Sequence, residues 1–177
     1  MKSRLLFAPL AALALVPVAA QAVTYLSTAQ AQALMFPGQA LRPDFRTLTP
    51  AQTAAIEKDA GVNVLTRELK AWRASDGGWF ILDQVVGKHE FITFALALDA
   101  TGAVQDVEIM DYRESYGDQV RNAAWRAQFT GKRHGAPLKL TGDIKNISGA
   151  TLSSKHITDG VRRLLATYAI VLAPTAG

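Results

Sequence analysis

The stretch FITFALALDATGAVQDVEIMDY, Phe91 to Tyr112, reads as a β-hairpin. Apolar runs from Phe91 to Leu98 and from Val104 to Met110 flank Asp99-Ala100-Thr101-Gly102, a cluster of turn residues. In the second run Val107 breaks strict alternation with Val104, which points to a bulge or a change of register. Upstream, WFILDQVV (79–86) reads as another strand between the turns SDGG (75–78) and GKHE (87–90). VLTRELKAWRA, ahead of these, is a mixed strand candidate. The middle of the chain is therefore an antiparallel sheet of about four strands.

Helices flank it. STAQAQALM can be capped by Ser27 or Thr28 and is stopped by Pro37-Gly38. LTPAQTAAIEKDAG carries Thr49 as N-cap, Pro50 at the first helical position and Gly61 just past the end. PGQALRPDFRTL, between them, reads as a loop. After the hairpin, RESYGDQV is a polar loop containing Gly117. DQVRNAAWRAQF reads as a helix with Val120, Ala124 and Phe129 on one face. TGKRHGAPLKLTGDIKN is a loop with room for a short strand at Leu138 to Leu140. After Thr151, residues Ile157, Val161, Leu164, Leu165, Tyr168 and Leu172 follow the spacing of one buried helical stripe. The fold class is α+β, with a short helical N-terminal appendage.

At 177 residues the chain holds one domain with a proper core. The formal charge of +4 falls to +2 without Lys2 and Arg4, and no basic run is present, so nucleic acid is not an expected partner. The absence of cysteine removes disulfides, thiolate metal sites and haem attachment. His89, His134 and His156 have no partner at metal-ligand spacing, so no metal is expected. MKSR followed by LLFAPLAALALVPVAA and Ala20-Gln21-Ala22 reads as a signal peptide cleaved after Ala22. The mature protein is expected in the periplasm; an uncleaved N-terminal anchor is the alternative.

Function concentrates in ISGATLSSKHITDGVRRLLATY, Ile147 to Tyr168. A helix start offers unpaired N–H groups and a partial positive charge, which suit an anion. Gly149 admits a close ligand and a positive φ, Ala150 keeps the turn narrow, and Ser148, Thr151, Ser153 and Ser154 supply hydroxyls. The competing reading is a helix capped by Ser153 or Ser154 with nothing bound.

Ser148-Gly149-Ala150-Thr151-Leu152-Ser153-Ser154 resembles the motif of the FMN-binding domain family, which includes subunits of the sodium-pumping NADH:quinone reductase and of the Rnf complex. YRESYG (112–117) stands in the place of that family's Glu-Thr-Pro-Gly loop beside the flavin. WRAQFTGK (125–132) is similar to the segment that follows it. The resemblance runs from about Gly78 to Tyr168.

The resemblance implies FMN as cofactor. In covalent members a flavin transferase, using FAD, joins FMN through a phosphoester to the Thr of this motif, here Thr151. Ser148, Gly149, Ala150, Leu152 and Ser153 would shape the phosphate turn, and Glu114, Ser115 and Gly117 would lie at the ring. Tyr112 and Tyr116 are stacking candidates; Trp125 and Phe129 read as core, and Lys132 as facing phosphate or water. Lys145 stands where covalent members usually carry an acid, with Asp143 the nearest one, so non-covalent FMN at the same turn stays open.

The expected arrangement is a signal peptide over 1–22, the appendage and first strand over 23–74, and the FMN-binding domain over 75–173. The expected function is periplasmic electron transfer between membrane or periplasmic donor and acceptor proteins, as a carrier rather than a stand-alone enzyme. The alternatives are a reductase with its own small substrate and a cofactor-free assembly module of the same fold.

Overall fold

In the computed structural model, residues 23–174 are described; the expected signal peptide lies outside them. The elements in order are β1 (Val23–Thr24), α1 (Thr28–Met35), β2 (Leu41–Pro43), β3 (Arg46–Thr47), α2 (Pro50–Ala60), β4 (Glu68–Ala74), β5 (Trp79–Val86), β6 (Phe91–Leu98), β7 (Val104–Tyr112), α3 (Ala123–Arg126) and α4 (Thr151–Thr167). The strands form an antiparallel sheet in the order β1-β7-β6-β5-β4-β2, with β3 also on β4. The antiparallel sheet with packed helices is the expected α+β fold. It runs without interruption across the expected boundary at 74/75, because β4 and β5 are hydrogen-bonded neighbours.

The hairpin β6–β7 is irregular in two places. Ala97 pairs with Asp106 and Leu98 with Val104, so Gln105 is an extra residue; Thr93 pairs with Asp111 and Phe94 with Ile109, so Met110 is another. The two bulges let Val104, Val107, Ile109 and Tyr112 all point to one face despite their uneven spacing. The irregularity read at Val107 is the first of them.

Helices cover both faces. On one, α2 and α4 pack Ile56, Ala60, Ile157, Val161 and Leu164 against Ile81, Phe94, Leu96 and Val107. On the other, α1 places Ala31 and Met35 against Phe80, Ala95 and Ala97. Every residue of the α4 stripe is buried, and the helix continues through Leu172 as a wider π turn. At Gly160 the helix comes so close that a Cβ would stand 2.7 Å from Val85 Cγ1. Arg163, also buried, ties α4 to β5 through Asp83 at 2.7 Å and the Gln84 carbonyl.

Three local expectations are corrected. The loop between α1 and α2 holds β2 and β3, which exist because β4 offers them a free edge. The helix expected over 118–129 is broken: Asn122 interrupts it, its Oδ1 accepting the Trp125 N–H at 3.2 Å to start α3 afresh, and Ala124 is exposed. At Leu138 to Leu140 only a single bridge, Leu140 to Ile144, forms. Trp125 and Phe129 are buried, as expected. No helix among the described residues is long and apolar enough to cross a membrane.

Candidate functional site

α4 begins at Thr151, directly after the Ser148-Gly149-Ala150 turn. Ala150 occupies the N-cap position, and no side chain caps the helix. The first helical N–H with a partner is that of Ser154, which donates to Ala150 O at 2.9 Å. The N–H groups of Thr151, Leu152 and Ser153 have no hydrogen-bond partner among the described residues. A cap by Ser153 or Ser154 is thereby overturned. The helix starts too early for it, and both side chains are buried inside its first turns. Three free donors and the positive end of the helix dipole make this start a place for an anion.

The turn is shaped to admit one. Gly149 has φ +85°, and no atom lies within 4 Å of where a Cβ would stand. Thr151 is exposed, and its Oγ1 accepts a hydrogen bond from Asn146 Nδ2 at 3.0 Å. The approach to the turn is braced from α3 and the residues after it: Trp125 Nε1 donates to Lys145 O at 2.7 Å, and the Lys145 N–H donates to Gln128 Oε1 at 2.8 Å. Asp143, the nearest acid to the motif, is engaged elsewhere, accepting from Lys132 Nζ and the Lys139 N–H at 2.7 Å each. Lys132 therefore faces Asp143.

A cleft of about 410 Å³ opens at this helix start, within the range of roughly 300–1,000 Å³ usual for cofactor sites. Gly149 to Ser153 form one wall. Glu114 and Tyr116 come from the loop after β7, and Lys88 from the β5–β6 turn. Ser148 and Ser115 are exposed beside it in the chain. Gly117 is buried beneath, where a Cβ would stand 2.5 Å from Tyr112 Oη and 2.7 Å from Ser153 Oγ. Tyr112 is buried and does not reach the cleft wall; Tyr116 is 86% exposed on it. A second groove of equal volume, on the sheet around Lys70, Gln84 and Phe91, contains none of these residues.

Glu114 has a structural task as well. Its Oε1 accepts the backbone N–H groups of His89 at 2.5 Å and Glu90 at 2.9 Å, which ties the loop after β7 to the β5–β6 turn. Burial pushes its carboxyl up, but the N–H groups of Glu90, His89 and Lys88 outweigh burial and hold it below the ordinary glutamate value. The ionised carboxylate is the form these donors favour.

This constellation sits inside a known pattern. Residues 87–166 match the family model of the FMN-binding domain. The chain carries an FMN-binding domain. The match begins at the Gly87-Lys88 turn and ends in the last turn of α4, so it includes every wall of the cleft. No curated protein matches the chain. The match supports FMN as the cofactor, and the residues fit it: an uncapped helix start, an open glycine and an accessible hydroxyl are what a phosphate needs. When bound, the flavin supplies the redox chemistry.

Three residues of the FMN-binding domain escape a reading of the sequence. Lys88, the cation on the cleft wall, lies in a four-residue turn with no signal beyond turn composition. Asn146 and Gln128 act through contacts that only the fold creates, although Gln128 stands within the WRAQFTGK segment that resembles the family's.

Proposed function

We propose that this chain is an exported electron carrier whose FMN is joined by a phosphoester to Thr151. The observation that carries the reading is the position of Thr151: an exposed hydroxyl on the first residue of an uncapped helix, at the mouth of the cleft. An FMN phosphate esterified there retains negative charge beside the free N–H groups of Thr151, Leu152 and Ser153, a placement worth about 0.3–1 kcal/mol at an exposed helix end. Ser148, Gly149 and Ala150 let the phosphate approach, and Glu114, Ser115 and Tyr116 frame the ring. In attachment by a flavin transferase, Thr151 Oγ1 loses its proton and forms the new O–P bond to the FMN phosphate of FAD. The pyrophosphate bond breaks and AMP departs, with no oxidant or reductant required. Donor and acceptor are membrane or periplasmic proteins that meet the open side of the cleft. A tether keeps the cofactor from diffusing away outside the cytoplasm.

The test is coexpression with a periplasmic flavin transferase, followed by intact mass and visible absorbance of the denatured protein. The expected result is one FMN per chain that survives denaturation and disappears in Thr151→Ala. A colourless protein under these conditions overturns the reading. Lys145 at the usual acidic position favours a second reading, FMN held at the same turn without a bond. Its signature is yellow protein whose colour is lost on denaturation.

A further inference from the structure

Beneath the cleft lies a buried pair of hydroxyls. Tyr112 Oη is 2.5 Å from Tyr116 O and 2.8 Å from Ser153 Oγ. A phenol has one proton and a carbonyl can only accept, so Tyr112 donates to Tyr116 O. The contact with Ser153 must then run the other way, from the serine O–H to Tyr112 Oη. One oxygen thus joins the loop after β7 to the first turn of α4. Burial raises the Tyr112 hydroxyl above its ordinary pKa, which keeps that proton in place at working pH.

The loop is held at both ends. Glu114 anchors its start to the β5–β6 turn, and the Tyr116 carbonyl anchors its end. Gly117 then passes directly over the hydroxyl pair at φ +101°, where no side chain fits. Between the anchors, the Tyr116 ring stands on the cleft wall, 86% exposed. Nothing among the described residues accounts for a large ring left uncovered on so firmly held a backbone. A flat aromatic partner does, since offset stacking needs a ring set at a fixed height and angle.

We propose that Tyr112 is a positioning residue for the flavin: its hydroxyl holds the Tyr116 backbone on Ser153 and so sets the Tyr116 ring against the flavin ring. The inference rests on the FMN reading above. Its consequence is that a residue out of reach of the cofactor tunes the cofactor's properties.

The experiment compares flavin-loaded wild type with Tyr112→Phe, Ser153→Ala, Tyr116→Leu and the double variant Tyr112→Phe/Tyr116→Leu. The readouts are flavin fluorescence yield and midpoint potential. Stacked tyrosine quenches flavin emission, so Tyr116→Leu raises the yield several-fold. Tyr112→Phe and Ser153→Ala move yield and potential in the same direction, and the double variant goes no further than Tyr116→Leu alone. Amide hydrogen exchange of residues 115–118, measured without cofactor, is faster in Tyr112→Phe and Ser153→Ala than in wild type. If Tyr112→Phe does not fold, Ser153→Ala removes the same link from the other side. Unchanged yield and potential in both hydroxyl variants, additive effects in the double variant, or unchanged exchange overturns the role of Tyr112. A wild-type protein that takes no flavin overturns the FMN reading beneath it, an outcome the same measurements distinguish.

Discussion

Among the described residues, the three longer helices begin in two different ways. α1 and α2 each close their own start with a complete capping box. Ser27 accepts the Gln30 N–H while Gln30 reaches back to the Ser27 N–H, and Thr49 and Gln52 do the same. α4 has no such closure. Yet α4 is the most deeply embedded of the three. An absent cap costs about 1 kcal/mol, whereas each fully buried Ile, Val or Leu contributes about 1.5–3 kcal/mol. With Ile157, Val161, Leu164 and Leu165 all buried, α4 does not need the cap. A helix held by its face is free to leave its end open for a ligand; helices held more weakly must finish themselves.

The largest expected effect separates the two kinds of start. Thr151→Ala removes all covalent flavin, yet it shifts stability by no more than about 0.5 kcal/mol because the hydroxyl caps nothing. Mass and thermal melting read both, and a large loss of stability would break the comparison. Thr49→Ala does the reverse: about 1 kcal/mol of stability goes, or roughly 2–4 °C in melting temperature for a chain of this size, with flavin content unchanged. Ser27→Ala behaves likewise at α1.

Glu114→Ala sharpens the picture at the cleft, with an expected loss of roughly 1 kcal/mol from the unpaired turn amides. The sign of its pH dependence follows from a folded pKa below the unfolded one. The glutamate's contribution is present above the unfolded value of about 4.3 and is lost as pH falls through the lower folded value. The gap in melting temperature between wild type and variant therefore holds from neutral pH down to about 4.3 and narrows below it, as pH falls toward the folded value. Lys88→Ala has the smallest effect. Stability is unchanged, and retention of non-covalent FMN weakens by no more than about fivefold, a difference that added salt erases.

Much of this was legible in the sequence where one element sufficed to decide it. The N-caps at Ser27 and Thr49, the α4 stripe and Gly149 in the turn before Thr151 are local signals, and the chain obeys them. The bulge at Val107 was visible as a fault in alternation, but the second, at Met110, was not, because Ile109 and Met110 are both apolar and hide the step. β2 and β3 were missed because Pro43 and Asp44 read as loop; their strand character comes from β4, not from their own propensity. The site divides the same way. The phosphate turn is one contiguous motif, whereas Lys88, Asn146 and the hydroxyl pair under the loop meet only after four separate segments have come together.

The extra residue at Met110 has an effect well beyond its own strand. Counting from Ile109 by twos, an uninterrupted β7 would turn Asp111 toward α4 and Tyr112 toward the opposite layer. The single-residue offset reverses that parity and puts a phenol, instead of a carboxylate, under the mouth of the helix. Were Met110 instead drawn into the regular ladder, a carboxylate would face the layer that holds the start of α4, with every residue of the motif itself left untouched.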